Sequence, residues 1–308
     1  MMRRTILMYH RVADDSRDHY GLCVAPERFA AQLELLAELA DVVSLDELVS
    51  PAQSTAWPRR RRRPRVAITF DDGYADNLEH ALPALDARGA PMTLFVATGA
   101  LDDPKGFWWD RLALLLARRS EVELELVIGG SPLRISLHGD RAAADALAAL
   151  HARLRMQTLA EAEAAVASVA RQIGVPMPDA VAARVLTRIE LEKLGQHPLV
   201  TVGAHTVDHV LLARRSEAEQ VATMTRSKEE LETLLDRRVR HFAYPYGDPE
   251  SFDATTVAVA RLCGFETACT TRPGRVTALN DRFQLPRRTV LDWDAATLRS
   301  RLAAWRAA

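Results

Sequence analysis

Two adjacent aspartates, placed directly after an apolar segment, constrain the fold of this chain more than any other sequence feature. Val66–Phe70 predicts a short buried strand, Asp71 and Asp72 follow it, and Gly73 allows the chain to turn away. Neighbouring carboxylates repel each other, and a bound divalent cation is the usual relief. The alternative is a plain turn or helix N-cap, because the residues from Asn77 onward are predicted to be helical. The remaining sequence has to decide between these interpretations.

Strand and helix patterns alternate along much of the chain, which predicts an α/β fold built on a parallel sheet. The predicted strands are Thr5–Tyr9, Val42–Val43, Val66–Phe70, Met92–Ala97, Leu199–Gly203, His241–Ala243 and Thr267–Thr270. The predicted helices include Pro26–Leu39, Asn77–Arg88 and Glu217–Leu235. If the strands form a barrel, the polar residues that follow different strands are expected to meet on one face.

The alternation is interrupted at about 101–189, which we interpret as an insertion within a single domain spanning residues 1–308. Its predicted elements are mostly helical, namely a helix over GFWWDRLALLLARR, two short strands at Val122–Val127 and Leu133–Leu137, and an alanine-rich helical segment at Arg141–Ile173. Trp108 and Trp109 are predicted to anchor the insertion to the rest of the fold. The alternative for these two side chains is stacking on a sugar ring.

Composition is typical of a globular protein, with 48% hydrophobic and 26% charged residues. The formal net charge of −1 gives no global field that would favour nucleic acid as a partner. The first apolar segment is too short for a signal sequence and no stretch approaches a membrane span, so we expect a cytoplasmic protein without a transmembrane segment. The three cysteines are scattered, which agrees with a reducing compartment.

A run of five arginines, Arg59–Arg63, lies within a polar linker. Such a run is most often a solvated loop. The alternative is peripheral contact with an anionic surface, for example a membrane-bound polysaccharide assembly. The sequence indicates no particular oligomeric state.

The stretch GAHTVDH carries the second set of candidate metal ligands. His205 and His209 are four residues apart, so one helical turn would place both rings on the same side. With Asp72, they would form a set of two imidazoles and one carboxylate that leaves positions open for water and substrate. Histidines at this spacing also arise by chance in exposed helices. The pair is therefore evidence for a metal site only in combination with the two adjacent aspartates.

Three motifs in this sequence resemble those of a known family, the polysaccharide deacetylases with NodB-homology domains. TFDDGY resembles the first motif of the family, HTVDH its histidine motif and FAYPYGD a variant of its third motif. With the surrounding strands, the resemblance covers roughly Thr5–Phe95 and Leu199–Leu298 and leaves the insertion unexplained. It implies a distorted (β/α)7-type barrel and an enzyme that hydrolyses amides with a divalent metal ion.

The resemblance also implies roles for individual residues. Asp71 corresponds to the general base, and Asp72, His205 and His209 correspond to the metal ligands. The ion is expected to be Zn²⁺, with Co²⁺ or Ni²⁺ as alternatives. The backbone N–H of Tyr246 corresponds to an oxyanion donor.

Two residues expected from most family members are missing here. No histidine follows His241, although most members carry the general acid near the C-terminus, and Ala243 stands where an arginine usually opens the third motif. A branch similar to the poly-N-acetylglucosamine deacetylases has the acid on the first strand, and MYHRV matches it, so His10 is assigned as general acid. A strand-end histidine bonded to backbone is the alternative. Arg287 is assigned to orient Asp71, although the adjacent Arg288 could also do so.

The predicted function is removal of N-acetyl groups from an amino sugar in a polysaccharide, a glycolipid or their precursor. Two alternatives stay open. An O-acetyl esterase or a non-sugar amidase would use the same base, metal ion and oxyanion site. A catalytically silent carbohydrate-binding barrel would account for the missing acid and arginine.

Overall fold

The computed structural model of the chain describes residues 4–15, 18–50, 63–118, 121–139 and 141–307. Most of the arginine run, 59–62, lies outside the described residues. Arg63 is described, and its Nη1 lies 3.6 Å from Asp41 Oδ1. The described helices include none that is both long and apolar enough to cross a membrane.

The centre of the fold is a parallel sheet that curves into a distorted barrel. The strands of the described residues are β1 (Arg4–Tyr9), β2 (Arg11–Val12), β3 (Cys23–Val24), β4 (Asp41–Val42), β5 (Arg65–Phe70), β6 (Met92–Val96), β7 (Glu123–Ile128), β8 (Ser131–Ser136), β9 (Val200–Ala204), β10 (His241–Ala243), β11 (Thr267–Cys269) and β12 (Arg288–Thr289). The main sheet runs in the order β11–β10–β9–β6–β5–β1–β12, and β4 pairs with β5 beside this path. The predicted α/β barrel is therefore confirmed.

Burial explains why these segments form central strands. Every residue of β5 and β6 is buried, as expected for strands covered on both faces. All pairs within the main sheet are parallel, for example Thr69 with Thr93 and Phe95 with Gly203. The carboxyl ends of β1, β5, β6, β9 and β10 consequently lie along the same edge of the sheet. This edge carries the residues that were singled out in the sequence.

Helices surround the sheet and largely match the sequence patterns. They are α1 (Pro26–Leu39), α2 (Leu45–Val49), a π-helical turn (Asn77–Ala81), α3 (Leu82–Asp86), α4 (Trp108–Leu116), α5 (Ala142–Leu154), α6 (Leu159–Ile173), α7 (Arg188–Gly195), α8 (Glu217–Leu235), α9 (Ala254–Leu262) and α10 (Ala295–Ala307). The continuous helix predicted at Asn77–Arg88 is wrong, because the segment begins with the π-helical turn. Pro83 lies just after that turn, where its missing N–H suits the start of a new α-helix.

The segment between β6 and α7 packs against the barrel through α4. Trp108 and Trp109 are each only 4% exposed, and Trp109 bears out the predicted anchoring through its contact with the loop after β5. Trp109 Nε1 donates a 3.0 Å hydrogen bond to the hydroxyl of Tyr74, which lies in the loop after β5. That hydroxyl donates in turn to Asp110 Oδ2 at 3.0 Å. The two hydrogen bonds of the Tyr74 hydroxyl, with Trp109 and with Asp110, therefore join the insertion to the loop after β5.

The carboxyl of Asp110 gives this interface a measurable pH dependence. Burial raises its pKa from 3.8 to about 7, and the hydrogen bond from Tyr74 only partly opposes that effect. Between these two values the folded protein binds more protons than the unfolded chain, so the free energy of unfolding falls as the pH rises. We expect Asp110→Asn to remove this slope and to stabilise the protein at pH 8 by on the order of 1–3 kcal/mol.

Urea unfolding at pH 5 and pH 8 checks this prediction. Asp145→Asn, at an exposed position of α5, is the matched control and should leave the pH dependence of the wild type unchanged. An Asp110→Asn protein that keeps the slope of the wild type would contradict the prediction.

Candidate functional site

The loop after β5 separates its two aspartates. Asp71 continues the sheet, because its N–H donates to Tyr9 O at 3.2 Å. Asp72 and Gly73 then adopt left-handed backbone conformations, with φ of 75° and 90°. A Cβ atom at Gly73 would lie only 3.2 Å from Val96 Cγ1, so the turn favours glycine for space as well as for φ. This turn directs the two neighbouring carboxylates to different partners.

The loop after β9 brings His205 and His209 together, but not through a helix. His205 N donates to Val96 O at 3.0 Å, and then Thr206 and His209 adopt left-handed φ values of 65° and 50°. The predicted helical turn at this position is therefore wrong, because two left-handed residues curl the backbone instead. The ring centroids of the two histidines nevertheless lie 4.8 Å apart. Left-handed non-glycine residues are strained, and such strain is concentrated at functional sites.

Asp72 joins the two histidines in a buried cluster. Asp72 Oδ1 lies 3.5 Å from His205 Nε2 and 3.3 Å from His209 Nε2. One ligand atom from each residue lies within 4.8 Å of the others. His205 Nδ1 makes a 2.7 Å hydrogen bond with Ala243 O, and since a carbonyl can only accept, Nδ1 carries a proton. In the neutral ring this leaves the lone pair on Nε2, the atom that faces Asp72.

The cluster fits a divalent cation. Among the described residues, the buried Asp72 Oδ1 and His209 Nδ1 have no hydrogen-bond partner. Burial raises the pKa of Asp72, but the close imidazoles of His205 and His209 outweigh this effect and hold that pKa well below its usual value. Burial lowers the pKa of His209. A carboxylate and neutral imidazoles are the forms that coordinate metal ions, so the donor set is suited to one.

Asp71 faces a different partner, the guanidinium of Arg287. The two side chains form a bidentate pair, with 2.6 Å from Nη1 to Oδ1 and 2.6 Å from Nη2 to Oδ2. Arg287 is fully buried and its Nε also donates to Thr270 O at 3.0 Å. Burial raises the pKa of Asp71, yet the charge and hydrogen bonds of Arg287 hold it below its usual value. Arg288 lies elsewhere, with its guanidinium 5.1 Å from the ring centroid of Trp305.

His10 lies at the same edge, directly after β1. Its carbonyl oxygen accepts a 2.9 Å hydrogen bond from Asn77 Nδ2, which ties the end of β1 to the π-helical turn. The residue as a whole is partly exposed. Its positive charge, when protonated, lowers the pKa of both Asp71 and Asp72. His10 is therefore a partly exposed residue close enough for its charge to act on both carboxylates.

Tyr246 occupies the loop after β10. It has a left-handed φ of 63°, and its carbonyl oxygen accepts a 2.8 Å hydrogen bond from Thr271 Oγ1. Its backbone N–H donates no hydrogen bond to any of the described residues. The ring packs edge-on against His209 with 4.7 Å between ring centroids. The predicted site residues other than Arg287 thus follow strands at one edge of the sheet, and Arg287 reaches Asp71 from the start of β12. Tyr246 brings to this edge an N–H that has no partner among the described residues.

Trp109 is a site neighbour that the sequence interpretation did not place there. Its ring centroid lies 4.9 Å from that of His209, and the parallel ring of Phe107 stacks on Trp109 at 4.2 Å. The aromatic run Phe107–Trp109 was visible in the sequence, but its spacing does not show which ring reaches the site. The insertion consequently forms part of the wall around the metal-ligand cluster.

Comparison with known proteins places these features in a family. Residues 59–125 and 162–268 match a family model described as polysaccharide deacetylase. The protein YxkH of Bacillus subtilis strain 168, provisionally described as a polysaccharide deacetylase, is 19% identical over 285 residues, or 92% of this chain and 69% of its own length.

Two solved structures show the same fold. The deacetylase PplD of Streptococcus pyogenes, determined with acetate, has a TM-score of 0.62 and 21% identity, and the match covers 97% of each chain. IcaB from Ammonifex degensii also has a TM-score of 0.62 and 21% identity, covering 100% of this chain and 98% of its own. At these identities the similarity concerns the fold.

Metal binding gives a direct check of the ligand set. We expect the wild-type protein to retain one equivalent of Zn²⁺ after dialysis and gel filtration, and Asp72→Asn and His209→Gln to lose it, since each removes one of three protein ligands. Asp71→Asn should retain the metal ion, because Asp71 is held by Arg287. Elemental analysis measures the stoichiometry.

The matched control is His241→Gln, since His241 also bonds a carboxylate, Asp46 Oδ1 at 3.0 Å, but lies outside the cluster. Loss of Zn²⁺ from the control, or full retention by Asp72→Asn, would contradict the assignment.

Proposed function

The chain belongs to the polysaccharide deacetylase family, and from this premise we propose that it is a divalent-metal hydrolase that removes the N-acetyl group of an amino sugar. The observation that carries the proposal is the division of work between two adjacent aspartates. Asp72 points at two histidines, as a metal ligand would, whereas Asp71 points at Arg287, as a base kept off the metal would. Zn²⁺ is the expected ion, with Co²⁺ or Ni²⁺ as alternatives.

The ionisation states of the site support hydrolysis at neutral pH. When bound by Asp72, His205 and His209, a divalent ion polarises an acetyl carbonyl and lowers the pKa of a water ligand. The low pKa of Asp71 keeps this carboxylate deprotonated and able to accept a proton from the attacking water. Arg287 fixes the orientation of that carboxylate through two hydrogen bonds.

Two further groups suit the later part of the reaction. The backbone N–H of Tyr246 has no partner among the described residues, so it can donate to the oxyanion that forms when water adds to the acetyl carbon. His10 is a partly exposed residue, and as general acid it would protonate the departing amine. This assignment makes a C-terminal histidine unnecessary, and Arg287 takes the place of the missing third-motif arginine.

The alternatives differ from the proposal in the leaving group or in the chemistry itself. An O-acetyl ester or a non-sugar amide would use the same base, metal site and N–H donor. A silent binding barrel would need neither Asp71 nor His10. The bidentate Asp71–Arg287 pair and the imidazole at this edge favour the enzyme. Location in the cytoplasm, and with it a preference for a precursor over a finished polymer, stays a prediction.

Acetate release tests the proposal. We expect the zinc-loaded wild type to release acetate from acetylated chito-oligosaccharides. The rate of Asp71→Asn should be lower by a factor of about 10²–10⁴, since a positioned base contributes on that order. His10→Ala should lose a similar factor on the sugar amide, because its amine must be protonated to leave. On p-nitrophenyl acetate the loss should be small, since p-nitrophenolate leaves without a proton.

His80→Ala is the matched control, because His80 is exposed on the π-helical turn, and its rates should equal those of the wild type. Acetate release from O-acetyl sugars alone would identify an esterase. Absence of release from every acetylated sugar would favour the binding barrel. Equal rates for His10→Ala and wild type on the sugar amide would remove His10 as the acid.

A further inference from the structure

Arg155, a side chain of the insertion, reaches the loop that carries Tyr246. Arg155 lies directly after α5, and its Nη2 donates a 2.6 Å hydrogen bond to Asp248 Oδ2. The guanidinium carbon of Arg155 also lies 4.4 Å from the ring centroid of Tyr246. A planar guanidinium can stack on an aromatic ring and pair with a carboxylate at the same time. Arg155 therefore contacts the side chains of both sequence neighbours of Gly247, Tyr246 and Asp248.

The backbone of the same loop is held by the segment after β11. Thr271 Oγ1 donates to Tyr246 O at 2.8 Å, and Thr271 N donates to Gly247 O at 2.9 Å. Gly247 has a φ of 61°, and a Cβ atom there would lie 2.6 Å from Thr271 N. The backbone of the loop is thus held against Thr271, and Arg155 contacts the side chains of Tyr246 and Asp248.

The conformation of Tyr246 shows why such holding matters. A left-handed φ of 63° is unfavourable for a tyrosine, and its free N–H gains nothing from a partner within the described residues. A strained backbone keeps such a conformation only where its surroundings over-determine it. The direction of this N–H therefore depends on the contacts of the neighbouring side chains and carbonyls.

We propose that Arg155 is a positioning residue that holds the loop 244–248 so that the Tyr246 N–H points at the reacting carbonyl. The inference rests on the proposed function, because it gives the insertion a part in that reaction. Arg155 acts through Tyr246 and Asp248 and does not itself touch substrate. It lies in the range 126–161, which falls between the two ranges that match the family model. The orientation of the oxyanion donor, the Tyr246 N–H, thereby depends on how the insertion packs against the loop.

Two other roles for Arg155 predict different results. Direct contact with substrate would mainly change KM. A partly exposed ion pair that only stabilises the fold would leave the kinetics of the folded enzyme unchanged, and such pairs contribute little to stability. The Arg155 and Asp248 side chains are 20% and 34% exposed, so a purely stabilising pair would be of that weak kind.

Steady-state kinetics on the zinc-loaded full chain separates these roles. We expect Arg155→Gln to lower kcat about tenfold to hundredfold with KM little changed, since small displacements of a catalytic group cost about that much. Asp248→Asn should have a similar effect, and the double variant should lose no more than the larger single loss, because both act through one contact. Arg153→Gln, at an exposed position of α5, is the matched control and should match the wild type.

Hydrogen–deuterium exchange provides a readout that does not need activity. Peptides covering 244–248 should exchange faster in Arg155→Gln than in the wild type and in Arg153→Gln. Unchanged exchange in Arg155→Gln, or faster exchange with an unchanged kcat, would overturn the proposal, as would a change in KM alone. An inactive wild type in which Arg155→Gln still loosens the loop would refute the proposed function while retaining the contact.

Discussion

The bidentate pair between Asp71 and Arg287 is the interaction on which the site depends. Without it, two adjacent carboxylates would compete for the same cation, and burial would favour protonation of Asp71. Arg287 is itself fully buried, so the guanidinium and the Asp71 carboxylate each compensate a charge that would otherwise be buried without a partner. The pair leaves Asp72 as the only aspartate of the two that faces His205 and His209. A sequence motif of two like residues is thereby converted into a base and a ligand.

The parallel sheet supplies the common edge, and unusual backbone conformations complete the geometry. Asp72, His209 and Tyr246 all have positive φ, and each lies in a loop that follows a different strand of the main sheet. Packing holds these conformations, with Trp109 and Tyr246 both against His209. The insertion takes part through Trp109 and Arg155, so the wall around the ligand cluster comes from both the barrel and the segment inserted into it.

Sequence patterns predicted the parallel α/β barrel, and the three motifs do meet at one edge. The sequence pattern gave a wrong prediction at His205–His209, where it indicated a helical turn. Left-handed residues shape the backbone there instead, and they leave no periodic signal in the sequence. The pattern also could not show that Arg155 reaches Asp248, or that Trp109 bonds Tyr74, since those partners are 93 and 35 residues apart. Such contacts follow from tertiary packing, which periodicity along the chain does not encode.

The most direct test of the account is a crystal structure of the protein grown with Zn²⁺, with diffraction data collected at the zinc absorption edge. The account predicts one anomalous peak at about 2.0–2.2 Å from an oxygen of Asp72 and from Nε2 of both His205 and His209. Asp71 should remain bonded to Arg287 and outside the coordination sphere. Zinc bound directly by Asp71, or found at another place on the protein, would contradict the division of roles between the two aspartates.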